Sequence, residues 1–139
     1  MRIETLPGGV TVINDAYNSN PASLRASLET LAESRGSRLV ALLGDMLELG
    51  ESEQEAHEEA VRFAAEVGVG LLGLVGPRLG LQGELAEALI DGEVLCADSS
   101  DSLGHQLQGK LQSGDVVLLK GSRSMRMEQV LQSLVQGGR

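Results

Sequence analysis

The stretch Leu39 to Val75, "LVALLGDMLELGESEQEAHEEAVRFAAEVGVGLLGLV", decides the fold class. It opens with an apolar run of strand length, passes through a polar loop, enters a longer amphipathic segment and closes on a second apolar run. From Ser52 to Glu66, residues Ala56, Ala60, Phe63 and Ala64 keep helical spacing. Glu53, Glu55, Glu58 and Glu59 crowd the N-terminal half, where the helix macrodipole favours carboxylates, and they read as solvated helix-start charges. Strand, helix and strand in succession form the unit of a parallel α/β sheet.

The same alternation runs through the chain. Strands are expected at Ile3 to Leu6, Val10 to Asn14, Leu39 to Leu43, Val69 to Val75, Glu93 to Ala97 and Val116 to Lys120. Helices are expected at Ala22 to Ser34, Ser52 to Glu66, Leu79 to Ile90, Ser102 to Leu111 and Met125 to Val135. Pro7, Gly8 and Gly9 make a tight turn between the first two strands, which should therefore pair as an antiparallel edge hairpin. The expected fold is a doubly wound, mostly parallel sheet of about six strands with helices on both faces. The whole chain, 139 residues, fits one domain, and its end, "VQGGR", should fray.

Composition narrows the function. The chain is 42% hydrophobic and 22% charged, in the range of a globular protein, and its apolar runs are too short to span a bilayer. No segment resembles a signal peptide, so a cytoplasmic location is expected. A net charge of -9 disfavours nucleic acid as a partner but leaves room for a small anion held by local donors. Cys96, the only cysteine, lies in "EVLCAD" and reads as a small core residue. It can build neither a disulfide nor a thiolate zinc site.

A doubly wound sheet binds ligands beyond the carboxyl ends of its parallel strands. The loops there are "DAYNSNP", "GDMLELGES", "GPRLG", "DSSDS" and "GSRSMRME". In the first, Asn20 can cap the next helix and Pro21 suits its first position, but capping explains neither Tyr17 nor Asp15. A carboxylate there could accept hydrogen bonds from a ribose diol. In the last, serines flank Arg123 ahead of a helix carrying Glu128, an arrangement able to receive a carboxylate or phosphate. Asp45, Glu48, Glu51 and His57 lie close in sequence without the spacing of a ligand set, so no metal is expected. His57 and His105 read as ordinary helix residues, exposed or partly packed. "GVGLLG", Gly68 to Gly73, imitates a dinucleotide fingerprint, but its glycines fall before and within a strand instead of opening a helix. No phosphate-binding P-loop is present in the sequence.

Taken together, "DAYNSNP", "LLGDMLELG" with "ESEQEAH", and "LLKGSRSMRME" resemble the C-terminal, Rossmann-like domain of the Mur ligases, in particular the branch that joins D-alanyl-D-alanine to UDP-N-acetylmuramoyl-tripeptide. The resemblance covers the whole chain and implies an ATP-dependent, amide-forming enzyme of peptidoglycan synthesis working through an acyl phosphate. Its N-terminal and central domains would be absent here, and the central one would hold the P-loop and Mg2+. It further implies ATP contacts from Asp15, Tyr17, Asn18 and Asn20. Acceptor contacts would come from Ser19, Asp45, Glu48, Lys120, Ser122 and Arg123. No residue of this domain alone would be catalytic, and the isolated domain would be inactive. The family's arginine near the γ-phosphate is not matched by Arg2. The competing reading is a stand-alone Rossmann-type module that binds a nucleotide or anion without catalysis.

Overall fold

The computed structural model describes residues 1–34 and 36–137. Its strands are β1 (Arg2–Leu6), β2 (Val10–Asp15), β3 (Leu39–Gly44), β4 (Leu71–Val75), β5 (Glu93–Ala97) and β6 (Val116–Lys120). The helices are α1 (Pro21–Ala32), α2 (Glu53–Val67), α3 (Pro77–Gly80), α4 (Gly83–Leu89), α5 (Ser100–Leu107) and α6 (Glu128–Gly137). One sheet runs in the order β1-β2-β6-β3-β4-β5. The β1–β2 pair is the antiparallel hairpin expected from the Pro7–Gly9 turn, and all other pairs are parallel.

The apolar side chains split between two cores. Ile13, Ala41, Leu43, Leu72 and Leu118 point to the face covered by α1, α2 and α4, through Leu28, Leu31, Val61, Ala64 and Ala86. Val12, Val40, Leu42, Leu71 and Val117 point to the face covered by α5 and α6, through Leu103, Leu107 and Val130. This strict alternation along strands buried on both sides is why the runs read as continuously apolar. Burying a leucine such as Leu28 or Leu118 fully is worth about 1.5–3 kcal/mol.

The right-handed crossover rule explains the topology. The connections β2 to β3, β3 to β4 and β4 to β5 step one way across the sheet with their helices on one face; β5 to β6 steps back with α5 on the other. β6 therefore inserts between β2 and β3, and the direction of winding reverses around it. At the opposite, N-terminal end of the sheet, buried Asp115 accepts from Arg38 Nε at 3.0 Å and Nη2 at 2.7 Å, tying the start of β3 to the start of β6.

Several boundaries differ from the sequence expectation, each for a local reason. The helix expected from Leu79 to Ile90 is two short ones, because Gly80 ends the turn begun at Pro77 and Gln82 N–H closes on Leu79 O. α5 starts two residues early, at Ser100, because Ser99 Oγ caps it, and it stops at Leu107 instead of Leu111. α6 starts at Glu128 instead of Met125, because Arg123–Met125 form a 3-10 turn and Arg126 has φ +52°. β4 begins at Leu71, since the Val69 amide still closes the end of α2 on Ala64 O. α6 carries its helical backbone to Gly137, beyond the expected fraying point at Val135, and Gly138 and Arg139 lie outside the described residues.

Cys96 requires a correction. β5 is the outer edge strand, so Cys96 is exposed and not a core residue. Partial burial on this strand, with Glu87 nearby, pushes its thiol pKa up, which disfavours the reactive thiolate.

Candidate functional site

The reversal around β6 brings the loops after β2, β3 and β6 together at one end of the sheet, the place where doubly wound sheets hold ligands. Register then selects the side chains. Asp15, the last residue of β2, stands opposite Lys120, the last of β6, on the face covered by α1. Lys120 Nζ donates to Asp15 Oδ2 at 2.9 Å, and Ser27 Oγ of α1 donates to the same oxygen at 2.7 Å. Burial raises the Asp15 pKa, but the hydrogen bonds from Lys120 and Ser27 and the charges of Lys120 and the N-terminus together hold it below the ordinary carboxylate value. Lys120, expected to face an acceptor, is almost wholly buried against Asp15 instead, leaving the carboxylate, one-fifth exposed, as the presented group.

Tyr17 and Arg123 face each other across the opening. Both are exposed; the Arg123 guanidinium lies 5.1 Å from the centre of the Tyr17 ring, and its Nη1 donates to the Tyr17 hydroxyl at 3.4 Å. With Asn14, Asp15, Ala16 and Glu128 they line an open cleft. The rest of "DAYNSNP" is held by its own side chains. Asn18 Oδ1 accepts the Ser19 amide at 2.9 Å. Asn20 and Ser23 exchange hydrogen bonds at 2.9 and 3.1 Å in a reciprocal cap of α1. Ser19 is buried, and its hydroxyl finds no partner among the described residues.

Asp45 has an occupation that the sequence does not reveal. Its carboxylate is fully buried and accepts the Arg78 amide at 3.0 Å and the Leu79 amide at 2.8 Å, capping α3 from a distant loop. Arg78 Nη1 reaches it at 3.3 Å, while Arg78 Nε donates to Glu53 at 2.7 Å, so Glu53 is paired and not merely solvated. Gly76, at φ +111°, passes so close that a Cβ there would lie 2.5 Å from the Asp45 carboxylate.

His57 is a second correction. It is fully buried: Nδ1 lies 2.6 Å from Glu53 O, and Nε2 accepts the Met46 amide at 2.9 Å. Nothing local marks this role except the i, i+4 spacing from Glu53. Ser122 bridges the two remaining loops, its amide donating to Asp45 O at 3.2 Å and its Oγ accepting the Leu47 amide at 3.1 Å. Glu48 beyond it is exposed. His105 lies on exposed helix surface as expected, beside Asp101.

The crevice thus presents an anchored carboxylate, an aromatic face and a guanidinium on a rigid floor. These are groups for a sugar hydroxyl, a flat ring and an anion. Among the described residues no three His, Cys, Asp or Glu side chains gather as a metal site, and no helix is long and apolar enough to cross a membrane.

Comparison with known proteins gives the family of the chain. The family described as Mur ligase, glutamate ligase domain, matches residues 1–123. The UDP-N-acetylmuramoyl-tripeptide--D-alanyl-D-alanine ligase of Mycobacterium leprae is 34% identical over 156 residues, covering 99% of this chain and 30% of that protein. The crystal structure of MurF ligase from Thermotoga maritima in complex with ADP superposes with a TM-score of 0.77 at 27% identity, covering 97% of this chain and 30% of the other. A MurF structure from Acinetobacter baumannii gives 0.79 at 26% identity, with 97% and 30% covered. The chain therefore spans about 30% of the length of these relatives.

Proposed function

The chain belongs to the Mur ligase family, as its glutamate ligase domain, and on that premise we propose that it is the C-terminal domain of the ATP-dependent ligase joining D-alanyl-D-alanine to UDP-N-acetylmuramoyl-tripeptide in cytoplasmic peptidoglycan synthesis. The observation that carries the proposal is the placing of Asp15 and the Tyr17–Arg123 pair in one cleft at the topological switch, on a scaffold like that of the named ligases over nearly its whole length. Relatives bearing that name match at 28 to 34% identity.

In this reading Asp15 accepts hydrogen bonds from the ribose of ATP, with Lys120 and Ser27 holding the carboxylate charged and fixed. Tyr17 and Asn18 border the nucleotide, and Asn20 secures the loop through its cap of α1. Arg123 receives the carboxylate of D-alanyl-D-alanine, with Ser122, Glu48 and the buried hydroxyl of Ser19, without a partner among the described residues, on the acceptor side. Asp45 serves the acceptor side indirectly, by holding its loop. ATP supplies the phosphoryl group that turns the tripeptide carboxylate into an acyl phosphate, from which the dipeptide amine displaces phosphate as the amide bond forms. This chain orients the two partners and excludes water when it closes on the remainder of the enzyme. In this reading magnesium would be held by the central domain, as the family resemblance implies.

The test is complementation. The purified chain should release no phosphate from ATP by itself, and adding the N-terminal and central domains should give phosphate release that depends on D-alanyl-D-alanine. ATP turnover by the chain alone, abolished by Asp15→Ala, would instead indicate a self-sufficient nucleotide enzyme; no turnover in the mixture or in the covalently joined enzyme would refute the proposal.

A further inference from the structure

Three consecutive amides of the loop after β3 are donated to three separate parts of the fold. Asp45 N–H goes to Val75 O at the end of β4 at 3.0 Å, Met46 N–H to His57 Nε2 in α2 at 2.9 Å, and Leu47 N–H to Ser122 Oγ after β6 at 3.1 Å. The His57 tautomer follows from its partners. A carbonyl oxygen can only accept, so Nδ1, 2.6 Å from Glu53 O, carries the proton and Nε2 offers its lone pair to Met46.

We propose that His57 is a positioning residue of the ligase reaction: it sets the seat of residues 45–47 and, through them, of Ser122 and the adjacent Arg123 that receives the acceptor. The inference rests on the function proposed above. A polar ring buried completely in the helix-facing core costs desolvation that a leucine of similar bulk would avoid, and both of its nitrogens are spent on backbone groups. The position it controls is not slack. Ser122 is joined to the same loop twice, through Asp45 O and the Leu47 amide, so a displacement at Met46 is passed to the start of the Arg123 turn. Immediately beyond, Glu48 holds φ +63°, a left-handed conformation that a non-glycine residue keeps only where its surroundings fix it.

The test uses His57→Leu, which fills the space without an acceptor, and His57→Gln, whose carbonyl can accept the Met46 amide. Hydrogen exchange in this chain should speed up about tenfold at the Met46 and Leu47 amides in the Leu variant, the scale of one lost hydrogen bond, and return toward the parent in the Gln variant. In the complete ligase, His57→Leu should raise KM for D-alanyl-D-alanine by roughly tenfold while KM for ATP changes by less than about twofold, with Gln again restoring it. Should the Leu variant not fold, His57→Asn, too short to reach Met46, carries the same expectations. Unchanged exchange at Met46 overturns the clamp. Faster exchange with an unchanged dipeptide KM, or with both KM values raised alike, leaves His57 a purely structural residue and overturns the positioning role. A parent enzyme without dipeptide-dependent turnover sinks the reading of function and the positioning role with it, while the exchange data still report whether the clamp exists.

Discussion

Replacing Asp45 by asparagine tests whether the buried carboxylate after β3 is a keystone or a ligand. The two side chains are nearly isosteric, so the substitution changes charge and one acceptor while leaving volume intact. In the parent, Oδ1 accepts the Leu79 amide at 2.8 Å and Oδ2 accepts the Arg78 amide at 3.0 Å, in a site closed to solvent. Asparagine keeps one carbonyl oxygen, for Leu79, and sets an NH2 group against the Arg78 amide. Two buried donors then face each other, at about 1–3 kcal/mol, and the surviving bond weakens from charged to neutral, by roughly 1 kcal/mol. The Arg78 guanidinium adds little to this, because it stands at the solvent boundary and keeps Glu53 at 2.7 Å. The total is about 2–4 kcal/mol, and at roughly 3–5 °C per kcal/mol for a domain of this size Tm should fall by about 6–20 °C. Urea unfolding of this chain should show the midpoint reduced with the m-value unchanged. A change below about 1 kcal/mol would refute the keystone argument. If it came with a large rise in KM for D-alanyl-D-alanine in the complete enzyme, Asp45 would be an acceptor ligand.

Two further predictions concern the cleft. Asp15 has a lowered folded pKa, so its pairing with Lys120 contributes stability that is fully present above the unfolded value of about 4 and is lost as pH falls through the folded value; Asp15→Asn should therefore melt below the parent at pH 7 and approach it as pH drops below about 4, and a constant difference across that range would contradict the linkage. Arg123→Lys in the complete ligase should raise KM for the dipeptide by the equivalent of about 1.5–3 kcal/mol with ATP parameters little changed, since an ammonium cannot reproduce the planar fork, and parent-like dipeptide kinetics would remove Arg123 from the acceptor site.

Much of the architecture is written in short-range patterns. The apolar runs at 39–43 and 116–119 become strands because a continuous hydrophobic run bounded by turn residues has few other ways to be buried. Pro7 to Gly9 force the hairpin, and Asn20 with Pro21 starts α1, since turns and caps are settled by residues within a few positions of one another. Glycines at 68, 70 and 73 fall at a helix cap, before a strand and inside it, so the false dinucleotide fingerprint is also recognisable locally. The places where the pattern misleads are those where a neighbour's identity matters: the single helix expected from Leu79 breaks at Gly80, and Cys96 is exposed because β5 has no strand on its outer side.

Element types, the edge hairpin, the doubly wound class and the three polar loops that gather at one end of the sheet were therefore legible in the sequence, because backbone sterics and the periodicity of burial act over a few residues. What each polar side chain in those loops does was decided only by tertiary structure. Lys120 meets Asp15 across 105 positions because β6 inserts beside β2 in one particular register; Asp45 meets Arg78 and Leu79 across 33 and 34; and His57 meets Met46 because α2 folds back over the loop that precedes it. A hydrogen bond is made over about 3 Å of space whatever the distance along the chain, and only strand order, register and helix docking bring such partners within that reach.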